Sequence, residues 1–361
     1  MNKEVISDKQ AISLIILFIG GSTFLFGIGV EAQQDAWLAI LLSILSVFPL
    51  LMLYSRILSI HRGRDLFDIL ELAFGKFFGK IISLLYVWFT IHLGTLVLTD
   101  FGDFPTITSI TATPKIVLMI CIIFLCSWIT KEGIEVLGRW GEVSVWVVIV
   151  SSIVFVSLLI PNYSINNMEP ILYNGVKPVI QGAFGVFSFP FAETVVFCFI
   201  FSSLKHKKSS YRVYAIGLIN GGVLVLITTL SSILAIGVDS YASFYFPAYK
   251  AVSRIDIGYF LQRMEVLISI VFFMGGFIKI SICLLGACKG VAKVFELDDY
   301  RFIITPITLL MLNLSCLMHE NIKDLGEWTA AIWRYYSFPF EVIIPIVIWI
   351  LIEIKNKPIK T

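Results

Sequence analysis

The sequence predicts an all-α integral membrane protein with ten transmembrane helices, arranged as a five-plus-five inverted repeat with broken helices one and six. Of its 361 residues, 58% are hydrophobic and only 14% are charged, and the mean hydropathy is +0.91. An ordinary soluble domain carries about 25% charged residues, so this chain lacks the polar surface that would cover a globule of its size in water. The composition therefore excludes soluble enzymes and nucleic-acid-binding proteins.

Ten apolar runs come close to the roughly 20 residues that a helix needs to cross a bilayer core. They are continuously apolar rather than alternating, which predicts helices and not the strands of a barrel. The runs are 10–31, 36–57, 79–103, 114–130, 142–160, 178–203, 211–238, 258–287, 301–318 and 338–354. We expect one membrane domain over residues 1–361, with a first five-helix repeat at 10–160 and a second at 178–354.

The charges between the runs predict the orientation of the chain. Placing the N-terminus in the cytoplasm puts 19 of the 27 Lys and Arg residues on that side, the bias that membrane proteins show towards their cytoplasmic loops. Both termini are then expected to be cytoplasmic. Between the second and third runs, residues 64–75 have one apolar and one acidic face, which predicts a short helix lying flat on that surface.

Two runs are interrupted by residues that weaken a helix. Run one contains Phe18-Ile-Gly-Gly-Ser-Thr-Phe-Leu-Phe-Gly-Ile-Gly29, and run six contains Gly182-Ala-Phe-Gly-Val-Phe-Ser-Phe-Pro-Phe-Ala-Glu193. Proline lacks an N–H and clashes with the turn before it. Breaks at matching places in two halves are the best sequence pointer to a transporter substrate site. The alternative is that the glycines only permit close helix packing.

An unwound segment frees backbone groups that suit a small zwitterion. The freed N–H groups at the start of a second half-helix can hold a carboxylate, and freed carbonyls can hold an ammonium group. The residues expected to donate to a carboxylate are Gly20, Gly21, Ser22 and Thr23. The residues expected to supply carbonyls and an aromatic lid are Phe187, Ser188 and Phe189.

Three polar residues inside the runs are candidates for ion coupling or an internal ion pair. Lys279 in run eight bears a charge that costs about 2.5–3.5 kcal/mol on the insertion scale, and it is either a coupling group bridging to the break in run one or a structural lysine. Glu193 is either a partner of Lys279 and proton acceptor or a cap of the second half of helix six. His92 in run three is either functional or a hydrogen-bonded packing residue.

The sequence contains no signature of an enzyme, a metal site or a cofactor site. It has no phosphate-binding loop, no GxSxG and no HExxH motif, and its six cysteines lie in or beside apolar runs without ligand spacing. We therefore predict no catalysis, no metal and no cofactor, with a small zwitterion and membrane lipid as the binding partners and no nucleic acid.

The chain resembles the spore germination permease family, the B subunits of nutrient germinant receptors, within the amino acid–polyamine–organocation superfamily. The segments that carry the resemblance are Ile6-Ser-Asp-Lys-Gln10, Leu66-Phe-Asp-Ile-Leu-Glu71 with Gly75-Lys76 and Gly79-Lys80 after it, Phe189-Pro-Phe-Ala-Glu193, and Phe260-Leu-Gln-Arg-Met-Glu265. The resemblance implies a subunit of the spore inner membrane that acts with A and C subunits and binds amino acids or related nutrients to trigger germination.

Two functions remain open at this stage. The first is a ligand-gated signalling subunit, and the second is a proton-coupled amino-acid transporter that uses the same site. A structural membrane subunit without a ligand is a third possibility.

Overall fold

The computed structural model describes residues 4–21, 23–61, 63–206, 208–255 and 263–355, and the regular elements in these ranges are all helical. The all-α membrane class is thereby confirmed. Ser22 and residues 258–262, the start of the predicted eighth span, lie outside the described residues.

The α-helices are α1 (Asp8–Gly20), α2 (Ala36–Ile60), α3 (Leu66–Thr108), α4 (Lys115–Glu132), α5 (Ile134–Leu159), α6 (Val176–Val186), α7 (Ser210–Ile236), α8 (Val238–Ser243), α9 (Pro247–Val252), α10 (Glu265–Val294), α11 (Ile304–Leu317), α12 (Ile322–Trp328), α13 (Arg334–Phe338) and α14 (Ile344–Lys355).

Eight helical segments of the described chain are long and apolar enough to cross a membrane. They are Val30–Ile60, Leu66–Thr108, Ile134–Asn162, Val176–Phe199, Ser210–Ile236, Glu265–Val294, Tyr300–Leu317 and Ile322–Lys355. The other two predicted spans correspond to α1, which ends after 13 residues, and to α4, which carries three charges in its 18 residues. Eight of the ten predicted crossings therefore meet the length and composition of a span.

Helix α1 begins at a capping box and ends in the middle of the first apolar run. The Ser7 hydroxyl accepts from the Gln10 N–H at 3.2 Å, and the Gln10 side chain accepts from the Ser7 N–H at 2.9 Å, which satisfies two unpaired amides at the helix start. The helix stops at Gly20, and a 3₁₀ segment at Val30–Asp35 leads into α2. The prediction of a helical run over 10–31 is thus wrong beyond Gly20, because the glycine pair ends the α-helix instead of only interrupting it.

Helix α3 contains both the predicted surface helix and the third span. The Asp65 carboxylate accepts from the Asp68 N–H at 3.0 Å and caps the helix start. Gly75 has a φ of +81°, a conformation that favours glycine, and it separates residues 66–74 from the long helix that follows. The apolar face of the short part is buried, as its pattern indicates: Leu66, Ile69, Leu70 and Ala73.

The loops predicted to be cytoplasmic share one face of the protein. Residues far apart in sequence form ion pairs there: Lys9–Glu142, Arg56–Glu353, Lys80–Glu296 and Arg301–Glu4. The backbone of Ile6 also pairs with Ser203 and Lys205. The structure therefore groups these segments on the same side, as the charge pattern requires.

Helix α10 lies at the centre of the bundle. It packs against α1, α3, α4 and α5, while α2 packs against α6 and α7. Most of the α10 residues from Ile278 to Cys288 are fully buried, including Lys279. This central position places the side chains of α10 against the end of α1.

Candidate functional site

Helix six is irregular at the predicted place. Helix α6 ends at Val186, a π-helical segment covers Phe187–Phe191 with Phe189 outside the helical region (φ −118°, ψ 114°), and a 3₁₀ segment follows at Ala192–Phe199. The end of α1 at Gly20 is the matching irregularity in the first half of the chain. Both regions thus interrupt the regular α-helical hydrogen-bond ladder inside the bundle.

The break after α1 packs directly against α10, and only glycine permits this contact. A Cβ atom at Gly275 would lie 2.8 Å from the Gly21 Cα and 3.0 Å from the Gly21 nitrogen. A Cβ atom at Gly21 would lie 3.1 Å from the Lys279 Cδ. Real Cβ atoms do not approach backbone atoms as closely as 2.8 Å, so position 275 requires glycine, and Gly21 brings the break into close contact with the lysine side chain.

Lys279 and Glu193 form an ion pair in the interior. The Lys279 Nζ lies 2.5 Å from the Glu193 Oε2, and both side chains are 0% exposed. The ammonium group also lies 4.7 Å from the centre of the Phe189 ring and 5.1 Å from that of Phe18, distances at which the ring face attracts a cation. The pair therefore joins α10 to both broken helices.

Glu341 is a second buried carboxylate, which the sequence analysis missed. It lies in a π-helical segment at Pro339–Ile343 and is 0% exposed. Its Oε2 accepts from the Ser188 hydroxyl at 3.2 Å, and Ser188 and Ser337 share a hydrogen bond of 2.6 Å. The sequence does contain a signal for it, since Glu341 is a charged residue in the apolar run 338–354. The free-energy cost of placing a charge in the membrane, which drew attention to Lys279, applies to Glu341 as well.

Several polar atoms in this region have no hydrogen-bond partner among the described residues. They are Glu193 Oε1, Glu341 Oε1 and the indole nitrogen of Trp333. The Trp333 indole lies close enough to interact with the Glu193 carboxylate, although the two atoms do not meet hydrogen-bond geometry. Buried polar atoms are almost always paired, so this group of atoms is suited to receive a polar ligand.

Two tyrosines hold the irregular backbone in place. The Tyr54 hydroxyl of α2 donates to the Glu341 carbonyl at 2.5 Å, and the Tyr86 hydroxyl of α3 donates to the Phe340 carbonyl at 2.8 Å. Tyr54 also lies 3.4 Å from the Ala192 carbonyl oxygen. Carbonyls outside a regular ladder need such donors, because the bilayer interior supplies no water.

The remaining residues predicted for the ligand site are placed around the same region. Ser188 is fully buried and bonded to Glu341, while Phe187 and Phe189 are half-buried. The Thr23 hydroxyl donates to the Ile19 carbonyl, and Gly20 packs against the Phe24 ring. The structure thus brings Gly21, Phe189, Glu193 and Lys279 together.

In the described chain, His92 lies in an aromatic cluster and does not contact the Lys279–Glu193 pair. Its ring lies 5.0–6.0 Å from four aromatic rings, those of Trp88, Trp328, Trp333 and Tyr336. Neither imidazole nitrogen has a hydrogen-bond partner in the described chain. Trp333 belongs to this cluster and also lies beside Glu193, so His92 is separated from the ion pair by one side chain.

This arrangement is suited to binding charged groups. Lys279, Glu193 and Glu341 lie together in the buried interior, where electrostatic interactions are stronger than in water. In the described part of the chain, no three His, Cys, Asp or Glu side chains are grouped so as to hold a metal ion.

The comparisons with other sequences identify germination proteins. The family model described as "Spore germination protein" matches residues 5–324. Spore germination protein KB of Bacillus subtilis (strain 168) is 27% identical over 99% of this chain and 97% of its own length. Spore germination protein XB of Bacillus anthracis is 22% identical over 91% of each chain.

The comparisons with solved structures identify transporters. Mhp1, a nucleobase–cation symport family transporter in a closed conformation with bromovinylhydantoin bound, aligns with a TM-score of 0.67 and 13% identity over 93% of this chain and 79% of its own. MhsT in complex with L-phenylalanine aligns with a TM-score of 0.63 and 14% identity over 97% and 99%. The fold resembles that of these transporters, and neither the family nor these neighbours are enzymes.

Proposed function

Because this chain belongs to the spore germination protein family, we propose that it is the B subunit of a germinant receptor that senses a small nutrient, an amino acid, at its two broken helices. The observation that carries this proposal is the buried group of Lys279, Glu193 and Glu341 beside the break at Gly21. A membrane interior tolerates such charges only where they serve a function or are paired. Within this group of three side chains, two carboxyl groups are buried with one lysine.

A zwitterion fits the chemistry of this region. Its ammonium group would be attracted by the Glu341 carboxyl and by the rings of Phe187 and Phe189. Its carboxylate would accept from backbone N–H groups of the non-helical segment after Gly20, among them those of Gly21 and Thr23. The transporter MhsT, of similar fold, is described with the amino acid L-phenylalanine bound, which supports a small-molecule site in this architecture.

Signalling requires only that the nutrient binds two conformations with different affinity. A shift from 1:99 to 99:1 needs about 5.5 kcal/mol of differential binding. Closing the break in α1 against α10 would move both the Gly21 backbone and the Lys279 side chain, since the two are in contact. Neighbouring subunits would respond to that movement without transport of the nutrient.

The location and the partners belong to the same proposal. We place the chain in the spore inner membrane with A and C subunits and surrounding lipid, and with both termini in the cytoplasm. The grouping of the basic loops on one face supports this orientation, because cytoplasmic loops carry the excess of Lys and Arg. The five-plus-five division at 10–160 and 178–354 is likewise part of the proposal.

The alternative function is proton-coupled transport of an amino acid. It is favoured by the buried Lys279–Glu193 pair, since a pair of titratable groups at a helix break is suited to proton coupling. Proteoliposomes that contain this chain alone distinguish the two functions. Saturable, pH-dependent uptake of radiolabelled amino acid supports transport, whereas binding without uptake supports sensing.

The proposal is tested with the twenty amino acids, nucleosides and sugars against the purified full chain. We expect saturable binding of at least one amino acid. Spores that depend on this chain should germinate in response to the same compound, and spores with the bulky substitution Ser188→Leu should not. Absence of binding for every compound, together with unchanged germination of the Ser188→Leu spores, would reject the proposal in favour of a structural subunit.

A further inference from the structure

The charges in the core do not balance as they stand. Glu193 and Glu341 are both 0% exposed. Within the described ranges, Lys279 is the cation that acts on both carboxyl groups. Its Nζ lies 2.5 Å from Glu193 and is flanked by two aromatic rings. Lys279 is therefore paired with Glu193, and no cation in the described ranges is paired with Glu341.

The hydrogen bonds around Glu341 suit a neutral acid better than an ion. One oxygen accepts from the Ser188 hydroxyl at 3.2 Å, the Ser337 hydroxyl also lies beside the carboxyl group, and the other oxygen has no partner among the described residues. An ionised carboxylate that is buried with so few donors costs several kcal/mol. A protonated Glu341 can instead donate to the Ser188 hydroxyl, which can donate onward to Ser337 at 2.6 Å, because a hydroxyl both donates and accepts.

In the described ranges, the surrounding elements supply no further cation to Glu341, and Lys279 also faces a third buried carboxyl group, that of Asp100. The groups that face Glu341 are Glu193 from the segment after α6, Lys279 from α10, Tyr54 from α2, Tyr86 from α3 and the two serines. Tyr54 donates to the main-chain carbonyl of Glu341 and not to its carboxyl group. The carboxyl group thus depends on a proton or on an incoming cation.

We propose that Glu341 is a cation-exchange site, at which the proton held in the empty protein is replaced by the primary ammonium group of the ligand. The proton leaves the carboxyl oxygen for water as the R–NH₃⁺ group enters, so the carboxyl group together with the cation bound to it has zero net charge in both states. No covalent bond other than the O–H bond is broken. The part that concerns the ligand rests on the proposed function, whereas the proton on Glu341 in the empty protein does not.

A one-for-one exchange has a measurable pH dependence. Where Glu341 is protonated in the free protein and ionised in the complex, one proton is released for each ligand bound. The apparent Kd then rises tenfold for each unit by which the pH is lowered. The Glu341→Gln variant, which has no proton to release, should show no such slope from this group.

Infrared spectroscopy of the purified full chain tests the proposal, with methylammonium chloride as the probe. We expect a carboxylic-acid C=O band at pH 7 that is missing in Glu341→Gln and that decreases in the wild type on addition of methylammonium. The matched control is Glu327→Gln, because the Glu327 side chain is 71% exposed and paired with Lys323. This control should keep both the band and its response.

Two results overturn the proposal. If the wild type and Glu341→Gln have the same acid band, Glu341 is ionised in the empty protein. If the band does not change with methylammonium, the exchange step is wrong. Labelling of the wild type with ¹³C-glutamate is a second test, which does not depend on the folding of a variant. The carboxylic-acid C=O band must shift in frequency if a glutamate carries the proton, and an unshifted band also contradicts the proposal. A failed nutrient screen would reject the proposed function without affecting the band.

Discussion

Replacing Lys279 by methionine removes the cation that balances Glu193. The two side chains are 2.5 Å apart and fully buried, so the variant leaves a carboxylate without a partner in the core. Removal of one member of a buried pair costs about 3–5 kcal/mol, whereas replacement of both by neutral groups of similar volume is often neutral or stabilising. We expect Lys279→Met to lose stability in this range and the double variant Lys279→Met/Glu193→Gln to recover most of it.

Thermal unfolding of the detergent-purified full chain measures these effects. The exposed Lys323→Met is a control for the chemistry of the substitution, since the Lys323 side chain is 73% exposed and its loss should change stability by less than about 0.5 kcal/mol. The reasoning is refuted if Lys279→Met unfolds like the wild type, or if the losses of the two single variants add in the double variant. Nutrient binding by a stable double variant would make the pair structural and not functional.

Three further substitutions test other parts of the structure. Gly275→Ala should strongly reduce stability and nutrient response, because its Cβ would lie 2.8 Å from the Gly21 backbone. The control Gly185→Ala should behave like the wild type, because the atom nearest to its Cβ would be 3.7 Å away. Equal effects of the two substitutions would contradict the packing argument. His92→Phe removes two buried nitrogens without partners and should leave the thermal midpoint unchanged or higher, so a loss above about 1 kcal/mol would contradict it. Burial and the neighbouring Asp68 raise the pKa of Asp65 to about 6 from 3.8, so the wild type loses stability as the pH rises through this window. Asp65→Asn can still cap α3, and it should unfold at a higher temperature than the wild type at pH 7 and at the same temperature near pH 4. A difference in unfolding temperature that is the same at both pH values would refute the assignment.

The fold class and the breaks could be predicted because each depends on local sequence. Continuous apolar runs specify membrane helices, and residues such as Gly20 and Pro190 weaken the ladder wherever they occur. The course of the chain after Gly20 could not be predicted, since residues 21–31 are as apolar as the sequence of a membrane-spanning helix. Its conformation is decided by contacts with distant residues, such as the hydrogen bond from the Ile28 N–H to Tyr241 at 2.7 Å.

The candidate site could be predicted only in part. Lys279 and Glu193 were found because each is an isolated charge in an apolar run, but their separation of 86 positions in sequence gave no direct evidence of contact. Glu341 was missed because it lies three residues after the start of the run 338–354, a position that the sequence alone assigns to the membrane surface and not to the core. The aromatic surroundings of His92 depend on how α3 is rotated relative to the segment Thr329–Trp333. This rotation cannot be predicted from a single sequence.

Equilibrium binding of a radiolabelled amino acid to the purified chain tests the central claim most directly, with the wild type measured beside Gly21→Val, Ser188→Leu and the control Gly185→Ala. We predict saturable binding to the wild type and to the control, and at least a tenfold loss of affinity in each of the other two variants while both remain folded. Unchanged affinity in folded Gly21→Val and Ser188→Leu would show that the nutrient binds elsewhere.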